Sequence, residues 1–185
     1  MINHSRLVRA LSEAGRGATC GPAGEDVRRW FCDGSAAWRA VERGGWAMPD
    51  EAPGLTPRLD ELLALEALPA ALTPWVHAAD PAGRIGQRAV QASRLVESKD
   101  GTARILVAQR FLDVLENAAD PRLSWSIVLG GGDRRPIAVV AYDHHDHPVM
   151  VAMGIVLRGR DGASQDPQDA ILARARGDEL ASAAA

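Results

Sequence analysis

The sequence is poor in residues that would point directly to a function. Of its 185 residues, two are cysteine, one is lysine, one is tyrosine and two are phenylalanine. Cys20 and Cys32 are separated by eleven residues and form no CxxC motif. That spacing is typical of two reduced structural thiols in a cytoplasmic protein, and it does not predict a disulfide framework or a zinc site.

Long apolar runs are also missing. The opening MINHSRLVRALSEAG has neither the apolar core nor the cleavage pattern of a secretory signal. No later run approaches the roughly 18 apolar residues of a membrane-spanning helix. We therefore expect a cytoplasmic protein without a membrane partner.

Charge of one sign is not in large excess. The formal net charge is -3 and the pI is about 5.9. Because there is no overall basic field, any contact with nucleic acid must be a local patch. Nearly all the positive charge is arginine, since Lys99 is the single lysine.

Signs of covalent catalysis and of a cofactor are absent from the sequence. It has no GxSxG elbow, and neither cysteine has a catalytic flanking pattern. The glycine-rich LGGGDRRP ends at Pro136 and is followed by a strand pattern, whereas a phosphate loop requires a helix there. We interpret it as a hairpin loop whose Arg134 and Arg135 could contact a phosphate backbone or an acidic partner.

The segment DHHDH, residues 143–147, holds three of the five histidines between two apolar runs. His144, His145, Asp146 and His147 are the candidate ligands of a divalent metal, and with them of a metal-dependent enzyme. An extended segment would give only two ligands on each face. The alternative, which we prefer, is a hairpin tip shaped by Asp143 or Asp146.

Apolar spacing in the first half of the chain is helical. It predicts helices over residues 4–15, 25–43 with a break near Asp33, and 59–68 up to Pro69. Residues 75–83 are expected to be a connection. Trp30, Trp38 and Trp125 lie at core-facing spacing, which indicates packing and not a ligand box.

From about Arg84 the apolar period becomes alternating. A hairpin turn at Asp100 and Gly101 joins the first two predicted strands, and short connections predict an antiparallel meander of the last three. A carboxy-terminal helix is expected after the N-cap Asp166. The predicted elements are strands 89–97 and 102–108, a three-turn helix 109–119, and strands 123–129, 136–142 and 148–157.

The order strand, strand, helix, three strands in residues 89–157 resembles the repeating half-domain of bacterial DNA sliding clamps, the beta subunits of DNA polymerase III. The resemblance is carried by RFLDVL at 110–115, by PIAVV at 136–140 and by PVMVAMGIVL at 148–157. INHSRLVRALSEAGRGA is similar to the opening strand and first helix of such a domain. The resemblance implies that helices 4–15 and 109–119 lie side by side on one face of the sheet.

In that family the helices present basic residues to DNA. The resemblance therefore implies phosphate contacts by Arg6, Arg9, Arg16 and Arg110, so charge reversal at Arg6 and Arg9 should abolish DNA retention. Edge strands left open by a partial sheet favour a homo-oligomer.

The expected fold is α+β: an antiparallel clamp-like sheet with an amino-terminal helical region. The expected divisions are 1–84 (mainly helical), 85–158 (clamp-like) and 159–185 (carboxy-terminal helix and tail). We expect no cofactor, and three functions stay open. The first is a clamp-like scaffold that binds DNA or a replication or repair protein. The second is a protein-interaction module, a regulator or inhibitor that does not bind DNA, which uses the helix around residues 59–68 and the Trp-bearing segment, and the third is a metal-dependent enzyme that would need a divalent ion at residues 143–147.

Overall fold

The protein is a mixed α/β structure built on one ten-stranded, mostly antiparallel sheet. The computed structural model describes residues 2–24, 27–45, 47–77, 84–85, 88–89 and 92–155. The helical elements are α1 (His4–Ala14), the 3-10 turn Gly15–Gly17, α2 (Leu55–Leu63) and α3 (Gln109–Leu112). The strands are β1 (Thr19–Pro22), β2 (Arg28–Cys32), β3 (Ala36–Val41), β4 (Asp50–Glu51), β5 (Ala67–His77), β6 (Arg84–Ile85), β7 (Arg88–Ala89), β8 (Ser93–Ser98), β9 (Arg104–Ala108), β10 (Ser124–Gly130), β11 (Arg135–Tyr142) and β12 (Pro148–Met153).

The strand order in the sheet is β4-β1-β2-β3-β12-β11-β10-β5-β8-β9. All neighbours are antiparallel except β4 and β1, and β6 and β7 form a separate two-stranded ribbon. The sheet curves until the segment after β12 reaches β9, where the Ile155 N–H donates to the Leu106 carbonyl at 2.8 Å. Strands from both halves of the chain therefore share one sheet.

Each face of the sheet carries a separate core. On one face, α1 and α3 pack with Trp38, Ile127 and Val139; on the other, α2 packs over Trp30 and Val140. A strand covered on both faces loses the apolar and polar alternation that identifies it in a sequence. Because of this double coverage, strands in the first half of the chain carry apolar spacing that predicts helices. None of the described helices has the length and apolar character needed to cross a membrane.

The predicted first helix is confirmed as α1. The Asn3 side chain accepts the Arg6 N–H at 3.1 Å at its start, and Gly15 ends it with φ 58°. Leu7 and Leu11 are buried, as their spacing predicts. A glycine suits this last position because an L side chain is strained at positive φ.

The helix predicted over residues 25–43 is wrong. The described part of this range forms the hairpin of β2 and β3, with Gly34 at φ 91° in the turn. Asp33 accepts the N–H groups of Ser35 and Ala36, so it shapes a turn and caps no helix. Trp30 and Phe31 are adjacent and buried on opposite faces, and this arrangement imitates helical spacing.

Two further helices differ from their predicted bounds. α2 ends at Leu63, and β5 runs through Pro69, where the sequence predicts the end of a helix. β5 continues to His77, so residues 75–77 belong to a strand and not to the predicted connection, whose residues 78–83 lie outside the described ranges. Residues 109–119 contain a single helical turn, because the Asn3 N–H donates to the Val114 carbonyl and Ile2 bridges Leu115. With β1–β5 all before residue 84, that region is not mainly helical.

The short hairpins predicted in the second half are confirmed. β8 pairs with β9, β10 with β11 and β11 with β12, all antiparallel. The predicted helix after Asp166, residues 90–91 of the first predicted strand and residues 156–157 of the last lie outside the described residues.

Asp100 stabilises the β8–β9 hairpin through one carboxylate oxygen. It accepts from the Ser98 hydroxyl (2.6 Å), the Thr102 N–H (3.0 Å) and the Thr102 hydroxyl (2.7 Å). These donors, the Ser98 hydroxyl foremost, lower the pKa of Asp100 from 3.8 to about 2. Gly101 follows at φ 73°.

Because the folded pKa is depressed, the stabilisation by ionised Asp100 is present above pH 3.8 and is lost as the pH falls to about 2. Asp100→Asn keeps the shape and the acceptor oxygen but not the charge. We expect its melting temperature to lie below that of the wild type at pH 7, and the gap to close over this acidic window. A gap that stays constant in thermal melts down to pH 2 would contradict the assignment.

Candidate functional site

The arginines predicted to contact DNA are mostly engaged with carboxylates. Arg6 lies 4.0 Å from Asp113, Arg9 2.9 Å from Glu13, and Arg110 3.6 Å from Asp33. Arg134 pairs with Glu66 and Arg135 with Asp133. Within the described ranges, Arg16 is the one member of this set without a carboxylate partner.

These ion pairs weaken the electrostatic case for a DNA surface. Duplex affinity comes chiefly from neutralising phosphates, and an arginine already facing a carboxylate has little net charge to offer. The two sets also belong to different elements: Arg6, Arg9 and Arg16 lie on α1 and the turn after it, whereas Arg134 and Arg135 lie at the β10–β11 connection. Arg110 lies on α3, so the six arginines are distributed over three separate parts of the fold.

The DHHDH segment forms the tip of the β11–β12 hairpin. Asp143 accepts the N–H groups of His145 (2.9 Å) and His147 (3.1 Å), and Asp146 adopts φ 58°. Partial burial acts to raise the pKa of Asp143, but the N–H donors of His147 and His145 outweigh it and hold that pKa below its usual value. The carboxylate therefore shapes the turn.

The candidate metal ligands lie side by side on this exposed tip. The ring centroids of His144 and His145 are 3.8 Å apart, and those of His145 and His147 are 6.1 Å apart. Across the described part of the chain, no group of three or more His, Cys, Asp or Glu side chains is arranged to hold a metal ion. Cys20 and Cys32 are both free thiols and belong to different cores, one on each face of the sheet.

The amphipathic helix proposed as an interaction surface uses its apolar face inside the fold. Leu59 is buried, and Leu62 and Leu63 pack partly buried against the core of that sheet face. Trp30 and Trp38 are also buried, as their spacing predicts. The apolar face of this helix and these two tryptophans therefore pack inside the fold, while the docking role of the segment stays a prediction.

A groove that the sequence analysis missed lies where β5 outruns β10. β10 pairs with β5 only from Ala67 to Ala70, whereas β5 continues to His77. The gap opens into a cavity of about 850 Å³. Its walls are β5 from Pro69 to Pro74, the first residues of β10 at 124–126, the loop at 118–121, and the residues Leu112, Leu123, Arg94 and Lys99.

The ladder geometry shows which backbone groups face this groove. The Lys99 N–H donates to the Pro69 carbonyl, and the Leu129 N–H donates to the Glu66 carbonyl. Because bonded pairs alternate along an antiparallel ladder, odd residues of this part of β5 point their backbone groups at β8 and even residues point theirs at β10. Ala70 meets Trp125 in this way.

Leu72 is the next even residue, and its backbone groups point into the groove. A longer β10 would place Leu123 opposite it, but the Leu123 N–H donates to the Asp120 carbonyl at 2.9 Å. Among the described residues, no backbone group bonds to Leu72 on that side. The alternation therefore directs the N–H and carbonyl of Leu72 towards the groove, beside an apolar wall, at the last regular position of β5 before its ladder with β8 shifts register between Leu72 and Val76.

The turn at Asp120 holds the neighbouring chain away from β5. Its carboxylate accepts the Arg122 N–H at 3.0 Å and the Arg122 guanidinium at 2.7 Å. These donors, the guanidinium foremost, lower the pKa of Asp120 to about 2. The turn is thus closed by its own ion pair, and Leu123 stays out of the ladder.

One signal in the sequence could have revealed this edge. The run ALPAALTPWVH is long, apolar and interrupted by Pro69 and Pro74. Proline cannot donate to a ladder, so prolines inside an apolar run indicate a strand with an incompletely paired edge.

Comparison with protein-family models, with curated proteins and with solved structures finds no match to this chain.

Proposed function

We propose that this protein is an interaction module that holds an extended segment of another protein as an added strand beside β5. One observation carries the proposal: among the described residues β10 stops pairing with β5 at Ala70, and the edge of β5 beyond it, at Leu72, lines an open groove of about 850 Å³. An unpaired strand edge is a template for another strand, and several peptide-recognition domains work in this way.

The walls of the groove suit an extended segment. Leu112 and Trp125 are buried residues whose edges line it, and Leu123 packs against the same core. Backbone bonds to Leu72 would supply affinity, and these apolar walls would select one side chain of the segment.

A blocking substitution tests the proposal. Ala119 is exposed on the groove wall, so Ala119→Trp should fill the groove without disturbing the core. Ala64 is an exposed alanine outside the groove, and Ala64→Trp is the matched control. Peptides would first be selected from a displayed library of random linear sequences against the wild type.

We expect Ala119→Trp to weaken the binding of a selected peptide at least about tenfold. The new side chain would fill the groove and block contact of the peptide with both the apolar walls and the edge of β5. Ala64→Trp should bind as the wild type does. Fluorescence anisotropy with labelled peptide measures both. Equal loss in the two variants, or loss in neither, would show that the groove is not the site.

A clamp-like scaffold that binds DNA is the second candidate. Its support is that α1 and α3 share one core on one face of the sheet, the arrangement that the clamp resemblance implies. The ion pairs of Arg6 and Arg9 weigh against it, so we expect no salt-sensitive retention on duplex DNA. Retention that charge reversal at these two residues abolishes would favour the scaffold over the interaction module.

A further inference from the structure

The groove beside β5 carries positive charge that no carboxylate of the described residues balances. Arg94 and Lys99 both line it. The guanidinium of Arg94 donates to neutral acceptors, the Gln109 side-chain oxygen at 3.2 Å and the Thr73 carbonyl at 3.0 Å. Lys99 is exposed, and its backbone N–H bonds to Pro69 while its ammonium has no carboxylate partner in the described ranges.

The one carboxylate that lines the groove is already neutralised, and Asp100, next to Lys99, does not line the groove and accepts from Ser98 and Thr102. Asp120 is the one carboxylate among the lining residues, and Arg122 binds it at 2.7 Å. Glu97, the next carboxylate along β8, is bound by the guanidinium of Arg104 at 2.5 Å. The chain as a whole has a net charge of -3, so this local positive charge runs against the balance of the whole chain.

The two cations stand at opposite ends of the open stretch of β5. Lys99 lies opposite Pro69, where β10 still pairs, and Arg94 reaches Thr73, just beyond Leu72. Four residues of strand separate these levels, or roughly 13 Å at the usual rise of a strand. A segment bonded to Leu72 would therefore have one cation near each end and the apolar wall in the middle.

We propose that the segment taken up by the groove is acidic, with carboxylates flanking an apolar side chain. This inference rests on the proposed function. Carboxylates of the segment would pair with Lys99 and Arg94, which have no carboxylate partner among the described residues. The opposite charges of the segment and the groove would fix the register of the segment along β5. The apolar side chain between them would contact Leu112, Leu123 and Trp125.

The test uses the full chain and the peptides selected from the random library. Lys99→Glu reverses one groove charge at an exposed position, and Arg58→Glu makes the same change in net charge at an exposed position on α2. We expect the selected peptides to be enriched in Asp and Glu around an apolar residue. Lys99→Glu should weaken their binding about tenfold, while Arg58→Glu should leave it unchanged.

A charge swap completes the test. A peptide whose acidic residue near Lys99 is replaced by lysine should bind the wild type poorly and recover on Lys99→Glu. Selected peptides that Ala119→Trp blocks but that carry no acidic preference would overturn this inference and leave the proposed function standing. If no peptide is selected, or if light scattering shows a second copy of the chain held at an Ala119→Trp-sensitive surface, both proposals fail.

Discussion

Trp38→Ala is expected to lower the free energy of unfolding by roughly 3–5 kcal/mol, the usual cost of truncating a buried tryptophan. Trp38 is fully buried at the centre of the sheet, where β3 pairs with β2 and β12. Its indole N–H donates to the Phe111 carbonyl at 3.2 Å, and its ring meets the Phe111 ring edge-on at 6.0 Å. It therefore joins α3 to the sheet as well as filling space.

Urea denaturation measures the effect, and two variants calibrate it. Trp38→Phe keeps an aromatic ring but leaves the Phe111 carbonyl without its donor, so its loss should fall between those of the wild type and of Trp38→Ala. Val27 is 79% exposed, and Val27→Ala should change stability by no more than about 0.5 kcal/mol. If Trp38→Ala lowered the free energy of unfolding as little as Val27→Ala, the tight packing of Trp38 against Phe111 and the sheet would be contradicted.

Gly154→Ala is expected to destabilise the fold, because residue 154 has no room for a side chain. A Cβ at this position would lie 2.7 Å from Cγ1 of Ile105 and would also overlap its Cδ1. Ile105 is 2% exposed, and the backbone of residue 154 is fixed because its N–H donates to the Ile137 carbonyl at 2.9 Å. With neither partner free to move, we expect a loss of roughly 1–3 kcal/mol.

A double-mutant cycle separates this clash from other causes. Ile105→Ala alone should cost roughly 2–5 kcal/mol, because it leaves a cavity. In that background the new methyl group at residue 154 enters the cavity, so adding Gly154→Ala should cost nothing or recover stability. Additive losses in denaturant titrations would show that the two sites do not touch.

Much of the second half of the fold could be predicted because its signals are local. Asp100 and Gly101 specify a tight hairpin, and the polar tip at residues 143–147 separates two apolar strands. Each of these turns closes within its own few residues, as the bonds of Asp100 and Asp143 show. Sequence patterns report such local constraints well.

The first half was misread because its strands are covered on both faces. Trp30 packs under α2 while its neighbour Phe31 packs under α1 and α3, so neither strand of that hairpin alternates. The shortness of α3 has a distant cause: the amino terminus, at Ile2 and Asn3, pairs with residues 114–115. A periodicity argument contains no information about such a partner.

The candidate groove escaped prediction for a related reason. It arises from a difference in length between β5 and β10, which are more than 40 residues apart in the chain. The sequence indicated only that Pro69 and Pro74 interrupt an apolar run. The Leu123 N–H donates to the carbonyl of Asp120, three residues earlier in the chain. This bond replaces the one that Leu123 would make to Leu72 if β10 were longer.

The most direct measurement is amide hydrogen exchange of Leu72 with and without a selected peptide at saturation. Strand addition beside β5 predicts that exchange at Leu72 slows at least about tenfold, since its N–H gains an acceptor in the added strand. Ala71, whose N–H faces β8, is the internal control and should not change. A bound peptide that leaves the exchange of Leu72 unaltered would contradict the proposal that this edge is the binding site.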